Sequence, residues 1–99
     1  MTDGGPSMKA QPGSPLGQAR RGFCGHIQAI DVGRAMSDLP AAELESRLIE
    51  LGFIEGARVE VLHEGPFSRD PIAVRINNAT VALRRREAMA IFVILDRSA

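Results

Sequence analysis

The stretch LGFIEGARVEVL, Leu51 to Leu62, changes its hydrophobic rhythm halfway along. Upstream, Leu44, Leu48 and Leu51 stand at i, i+4 and i+7, the spacing of one buried helix face. Downstream, Val59 and Val61 alternate with Arg58 and Glu60, the period of a half-buried strand. Between the two rhythms lie Gly52 and Gly56, each where a chain reversal calls for positive φ. The stretch therefore predicts a helix end, a tight double turn and a strand start. Phe53 and Ile54, held between the glycines, are expected to plug the gap between helix and sheet.

Working outward, SDLPAAELESRLIELG, Ser37 to Gly52, predicts a helix of about three turns. Ser37 or Asp38 is placed to cap it, Pro40 suits its start, and Glu43 precedes Arg47 by four on the wet face. Before it, FCGHIQAIDVG, Phe23 to Gly33, reads as a strand with leaky alternation and a bend near Gly25. Beyond the junction, RVEVLHE puts Val59, Val61 and His63 on one face, and Gly65-Pro66 is expected to break the strand before an FSRDP loop. IAVRI resumes with Ile72, Val74 and Ile76 inward, Asn77-Asn78 makes a hairpin turn, and ATVAL returns with Val81 and Leu83. RRREAM predicts one helical turn, and AIFVIL closes with Ile91, Val93 and Leu95 on one side. The sum is a mainly β domain of about five short strands, with one helix inserted after the first. A sheet this small avoids open edges by curling, so a small, partly open β-barrel is expected.

The chain has 99 residues, enough for one domain. Residues 1–22 are rich in Gly, Pro, Ser and Gln and read as a disordered tail, leaving 23–99 as the folded domain. Twelve basic residues balance twelve acidic ones. The tail holds Lys9, Arg20 and Arg21 against Asp3, so the remainder carries nine basic and eleven acidic residues. A folded unit so near neutrality gives no long-range attraction to nucleic acid or to acidic lipid. The single cysteine, Cys24, excludes an internal disulfide and argues for a reducing compartment. With no secretory signal and no membrane span in the pattern, a soluble cytoplasmic protein is expected.

The segment Arg47 to Ile94 closely resembles the ferrous iron transport protein A family, FeoA. Leu51-Gly52, Gly56, Val59 to Val61, Gly65-Pro66, Pro71, Leu83-Arg84, Ala88 and Ile91 to Val93 take the family's places in order. The resemblance implies an SH3-like barrel that serves as a cytoplasmic accessory of FeoB, a membrane ferrous iron transporter with a cytosolic GTP-binding domain. It implies contact with the membrane only indirectly, through that transporter. Related domains end the metal-dependent repressors of the diphtheria toxin repressor type. A transition-metal-binding or metal-sensing domain is therefore the alternative.

Catalysis has no support in the pattern. Ser and His fall into no nucleophilic arrangement and no phosphate loop exists, so no enzyme is expected. Partner binding falls on Phe53, Ile54 and Phe67, apolar residues in or beside loops, and on the arginine run Arg84, Arg85 and Arg86. Solvated arginines at a strand end are the plainer reading of that run. An arginine supplied in trans to a partner GTPase is the sharpest one. Nucleic acid is not an expected partner, because four Phe with no Tyr and no Trp make no stacking platform. Cys24, His26 and His63 are the soft ligands available, enough for weak Fe²⁺ or Zn²⁺ binding if the fold gathers them, though no resident cofactor is expected. An unpaired barrel edge leaves self-association open.

Overall fold

The computed structural model describes residues 13–35 and 37–96. Strand β1 (Ser14–Pro15) leads through a 3₁₀ turn (Leu16–Gln18) to β2 (Cys24–Ile30). A second 3₁₀ turn (Val32–Arg34) precedes helix α1 (Ala41–Leu51), and β3 (Arg58–Phe67), β4 (Asp70–Ile76) and β5 (Ala79–Leu83) follow. A one-turn helix α2 (Arg85–Ala88) then leads into β6 (Ile91–Leu95). All strand pairs are antiparallel, in one sheet of order β1-β6-β2-β3-β4-β5. The mainly β reading with one principal helix after the first long strand holds, with β1 as an additional short strand.

The sheet curls but does not close, because β1 and β5 remain its two edges. The gap between them is covered by α2 packed on the first 3₁₀ turn. Gly17 sits there so closely under α2 that a Cβ would fall on the Arg85 carbonyl and within 2.8 Å of Met89 Sδ. Leu16 beside it is fully buried in the core. The expected tail boundary at residue 22 is thus too late. One leucine between prolines and glycines carries too little signal alone, yet it docks because β1 pairs Ser14 with Val93 and Pro15 with Phe92. The rest of the expected tail, residues 1–12, lies outside the described residues.

Two irregularities decide which side chains face inward. In β2, Ile27 pairs with Val93 and Ala29 with Phe92, so Gln28 is the extra residue of a bulge. The bulge falls at Gln28 and not at Gly25, and it lets Ile27 and Ile30 both reach the core despite their opposite parity. In β3, Val61 pairs with Val74 but His63 pairs with Ala73, so Leu62 is extra. Val59 and Val61 point inward as expected, but beyond Leu62 the parity flips. His63 turns to solvent and Glu64 takes the inner side opposite Ile72. Gly65-Pro66 does not end the strand, which continues to Phe67 and pairs it with Asp70. A second register shift between Glu64 and Phe67 absorbs the proline, and Gly65 lets the Asp70 backbone approach where a Cβ would collide with it.

Helix α1 buries Leu44 and Leu48. Neither Ser37 nor Asp38 caps it: the Ser37 hydroxyl accepts from the Leu39 N–H at 3.1 Å, Asp38 pairs with Arg86, and Pro40 holds the cap position. Gly52 ends the helix at φ 104°, donating to the Ile49 carbonyl while Phe53 donates to Leu48. This six-to-one closure turns the chain back and drives Phe53 into the core, where it is fully buried. The rest of the core is Leu16, Ala88, Ala90 and the inward side chains of β2 to β6, Ile72, Val74 and Ile76 among them.

Candidate docking surfaces

The double turn between α1 and β3 positions the first surface. Gly52 and Gly56 both hold positive φ, 104° and 89°. The Gly56 N–H donates to the Ile27 carbonyl and the Ile27 N–H donates to Ala57, so the loop is stitched to β2. Phe53 anchors the loop from below, which corrects its assignment to a partner: a fully buried ring has no face to offer. Ile54 is left 52% exposed, and Ile49 of the helix is 49% exposed. Ile49 lies off the Leu44–Leu48–Leu51 stripe, and that position was the signal by which the sequence could have marked it. Gly52 abuts Asn77, so this surface stands at the β4–β5 end of the sheet.

The second surface is the opposite end of the same hairpin. Phe67 is 80% exposed at the end of β3, where Ser68 and Arg69 form a two-residue turn with φ of 57° and 61°. Strand β4, seven residues long, separates the two surfaces by about 20 Å. The expected partner residues thus fall on two surfaces and not on one.

The arginine run divides three ways. Arg84 is exposed. Arg86 makes an exposed ion pair with Asp38 at 3.1 Å. Arg85 is a clasp: Nη2 donates to Glu64 Oε2 at 2.7 Å, Nε to the Arg69 carbonyl at 2.8 Å, and Nη1 to the carbonyls of Ala19 and Gly17 at 2.6 and 3.1 Å. Its backbone N–H donates to Asp70 Oδ1 at 2.9 Å. Both side chains of the Arg85–Glu64 pair are only 20% exposed. Arg85 therefore holds the seam between the sheet edges, its guanidinium committed to these four acceptors. Of the run, Arg84 is the arginine left without an ion pair among the described residues.

The candidate metal ligands are not gathered. Cys24 pairs across the sheet with Glu60 and His26 with Arg58, while His63 lies beyond the Leu62 bulge beside Ala73. His26 Nδ1 is 2.9 Å from Asp96 Oδ1, and Arg58 lies 3.7 Å from the other oxygen of that carboxylate. Among the described residues no group of three His, Cys, Asp or Glu is placed to hold a metal ion.

Two depressions lie among the described residues. One, of about 380 Å³, is polar and lined by Arg58, Glu60, Arg75 and Asn77 on the outer face of β3 and β4. The other, of about 350 Å³, is more apolar and lined by Pro15, Phe23, Val93 and Leu95. Leu95 is 64% exposed there although Ile91 and Val93 of the same side are buried. It pairs with Gly25, which has no side chain to cover it. No helix among the described residues is long and apolar enough to cross a membrane.

Comparison with known proteins bears on the same residues. No curated protein matches the chain in sequence. Among solved structures, a FeoA protein from Chlorobium tepidum superposes with a TM-score of 0.65 at 28% identity, over 82% of this chain and 69% of that one. The FeoA of Stenotrophomonas maltophilia, described as a procaryotic SH3 domain protein complexed with zinc, gives 0.63 at 25% identity over 86% and 91%. A manganese-dependent transcriptional repressor gives 0.69 at 27% identity, over 93% of this chain but 47% of that one, so this chain spans about half of that repressor's length. The FeoA domain model matches residues 14–95, from the first residue of β1 to the last of β6. Since that span takes in every strand and both helices of the described residues, the chain belongs to the FeoA family of ferrous iron transport.

Proposed function

We propose that this protein acts in ferrous iron transport by docking on the cytosolic part of a FeoB-like membrane transporter, with the α1–β3 junction as the docking face. The observation that carries this reading is Ile54, half-exposed on a loop whose shape is imposed by two positive-φ glycines and a buried phenylalanine. An apolar side chain on a stiff support loses little entropy when covered, which favours its use as an anchor. Ile49 on the preceding helix is exposed as well, as are Glu50 and Glu55.

The test is capture of the purified cytosolic domain of the transporter by the full chain. Ile54→Asp should weaken capture at least tenfold with the thermal midpoint unchanged, because a half-exposed side chain contributes little to the core. Equal capture by wild type and Ile54→Asp would overturn the assignment of this face.

The likeness to a manganese-dependent repressor favours one second reading, weak Fe²⁺ or Zn²⁺ binding at Cys24 and His26 on β2. A metal sensor gains thermal stability with micromolar metal, whereas a docking module does not. Loss of that gain in Cys24→Ser would establish the metal reading, and its absence in the wild type would dispose of it.

A further inference from the structure

The Phe67 end of the β3–β4 hairpin combines exposure, rigidity and charge in a way the rest of the surface does not. Its turn, Ser68-Arg69, holds positive φ without a glycine or an asparagine. It is braced from behind: the Arg69 carbonyl accepts from Arg85 Nε, and Asp70 accepts from the Arg85 backbone. Phe67 therefore projects from a fixed support and does not fold back on the core. Arg85 also draws together the surrounding charges. Its guanidinium holds the Ala19 carbonyl just before Arg20, it holds Arg69, and it follows Arg84 in sequence. Arg20, Arg69 and Arg84 are exposed, and none of them makes an ion pair among the described residues. Two carboxylates at this end, Glu64 and Asp70, already accept from Arg85. The balanced charge of the whole chain thus conceals one apolar, basic pole, while Glu50 and Glu55 lie at the far end of β4.

We propose that this pole is a membrane-contact site: it rests on an anionic lipid surface, with Phe67 entering the headgroup boundary and Arg20, Arg69 and Arg84 facing the lipid phosphates and carboxylates. Exposed arginines without ion pairs beside one exposed aromatic favour lipid over an acidic peptide. A peptide anchors through several side chains along a groove or strand edge, and Phe67 is the one large apolar residue found exposed at this end among the described residues. A lone aromatic amid basic charge suits a soft, negatively charged surface instead. The site is separate from the docking face at Ile54, and the vesicle experiments that test it contain no transporter.

The protein has no tryptophan, so Phe67→Trp in the full chain supplies a single reporter. Mixed with phosphatidylserine–phosphatidylcholine vesicles, it should sediment with them and shift its emission to the blue. With pure phosphatidylcholine vesicles it should do neither, and added salt should release it. In the otherwise wild-type chain, Arg69→Gln and Arg84→Gln should each weaken vesicle binding about fivefold, and Phe67→Ser about tenfold. These side chains are exposed, so the variants keep the wild-type fold. Failure to bind anionic vesicles, or binding indifferent to all three substitutions, would overturn the proposal. Failure with vesicles together with loss of transporter-domain capture in Phe67→Ser would reassign the pole to an acidic protein partner and leave the Ile54 reading standing.

Discussion

Replacing Arg85 by alanine tests whether the seam between the sheet edges depends on one side chain. The substitution removes four guanidinium hydrogen bonds, to Glu64 and to the carbonyls of Arg69, Ala19 and Gly17, and leaves the backbone bond to Asp70 in place. Water reaches the Arg69 carbonyl at the exposed end, so that loss is small. The Glu64 carboxylate is the costly remainder, since it is four-fifths buried in the intact pair and loses its cation. Breaking a fully buried pair costs about 3–5 kcal/mol, and partial exposure moves this one to the lower end, about 3 kcal/mol. For a domain of this size that lowers the thermal midpoint by about 12–24 °C. Urea unfolding followed by far-ultraviolet circular dichroism measures it directly. Arg86→Ala is the internal control: its ion pair with Asp38 is exposed, and its loss should cost less than about 0.5 kcal/mol. The double variant Arg85→Met with Glu64→Leu should recover at least about 1 kcal/mol relative to the sum of its single changes, because no buried charge is left unpaired. If Arg85→Ala costs no more than Arg86→Ala, the seam is held by apolar packing of α2 on Leu16 and Arg85 is incidental.

The remaining predictions are briefer. Gly52→Val should destabilise by about 2 kcal/mol or more, since a β-branched residue is held at positive φ and its Cβ meets Asn77 Nδ2 at 2.5 Å. Gly56→Ala, also at positive φ but with nothing within 4 Å of the added Cβ, should cost only about 1 kcal/mol. Equal costs in denaturant titrations would mean that the Asn77 contact does not matter. Leu16→Ala should cost about 2–4 kcal/mol because the side chain is fully buried. An unchanged midpoint there would return residues 13–22 to the status of a tail.

Much of the architecture was legible in the chain because it rests on local rules. The leucine stripe of α1, its glycine stop, the alternation of β3 and β4 and the Asn77-Asn78 turn each follow from spacing and backbone sterics within a few residues. The glycines at 52 and 56 announced their positive φ for the same reason. Candidate partner residues were legible by type alone: loop-borne apolar side chains and an arginine run can be seen in a sequence, but their exposure cannot. Phe53 and Ile54 are neighbours with similar composition-level credentials, yet the helix-ending turn buries one and exposes the other.

What the sequence by itself determined is the list of elements from β2 onward, their order and the family they belong to, since these depend on periodicity and on residues that punctuate it. Tertiary structure alone decided the rest. A single extra residue in a strand inverts every side chain beyond it, so the Leu62 bulge sends His63 outward and brings Glu64 to Arg85. Where the paired strand lacks a side chain, as Gly25 does opposite Leu95, burial fails without any mark in the exposed residue itself. Both effects are set by register between distant segments, and register is a property of the folded sheet.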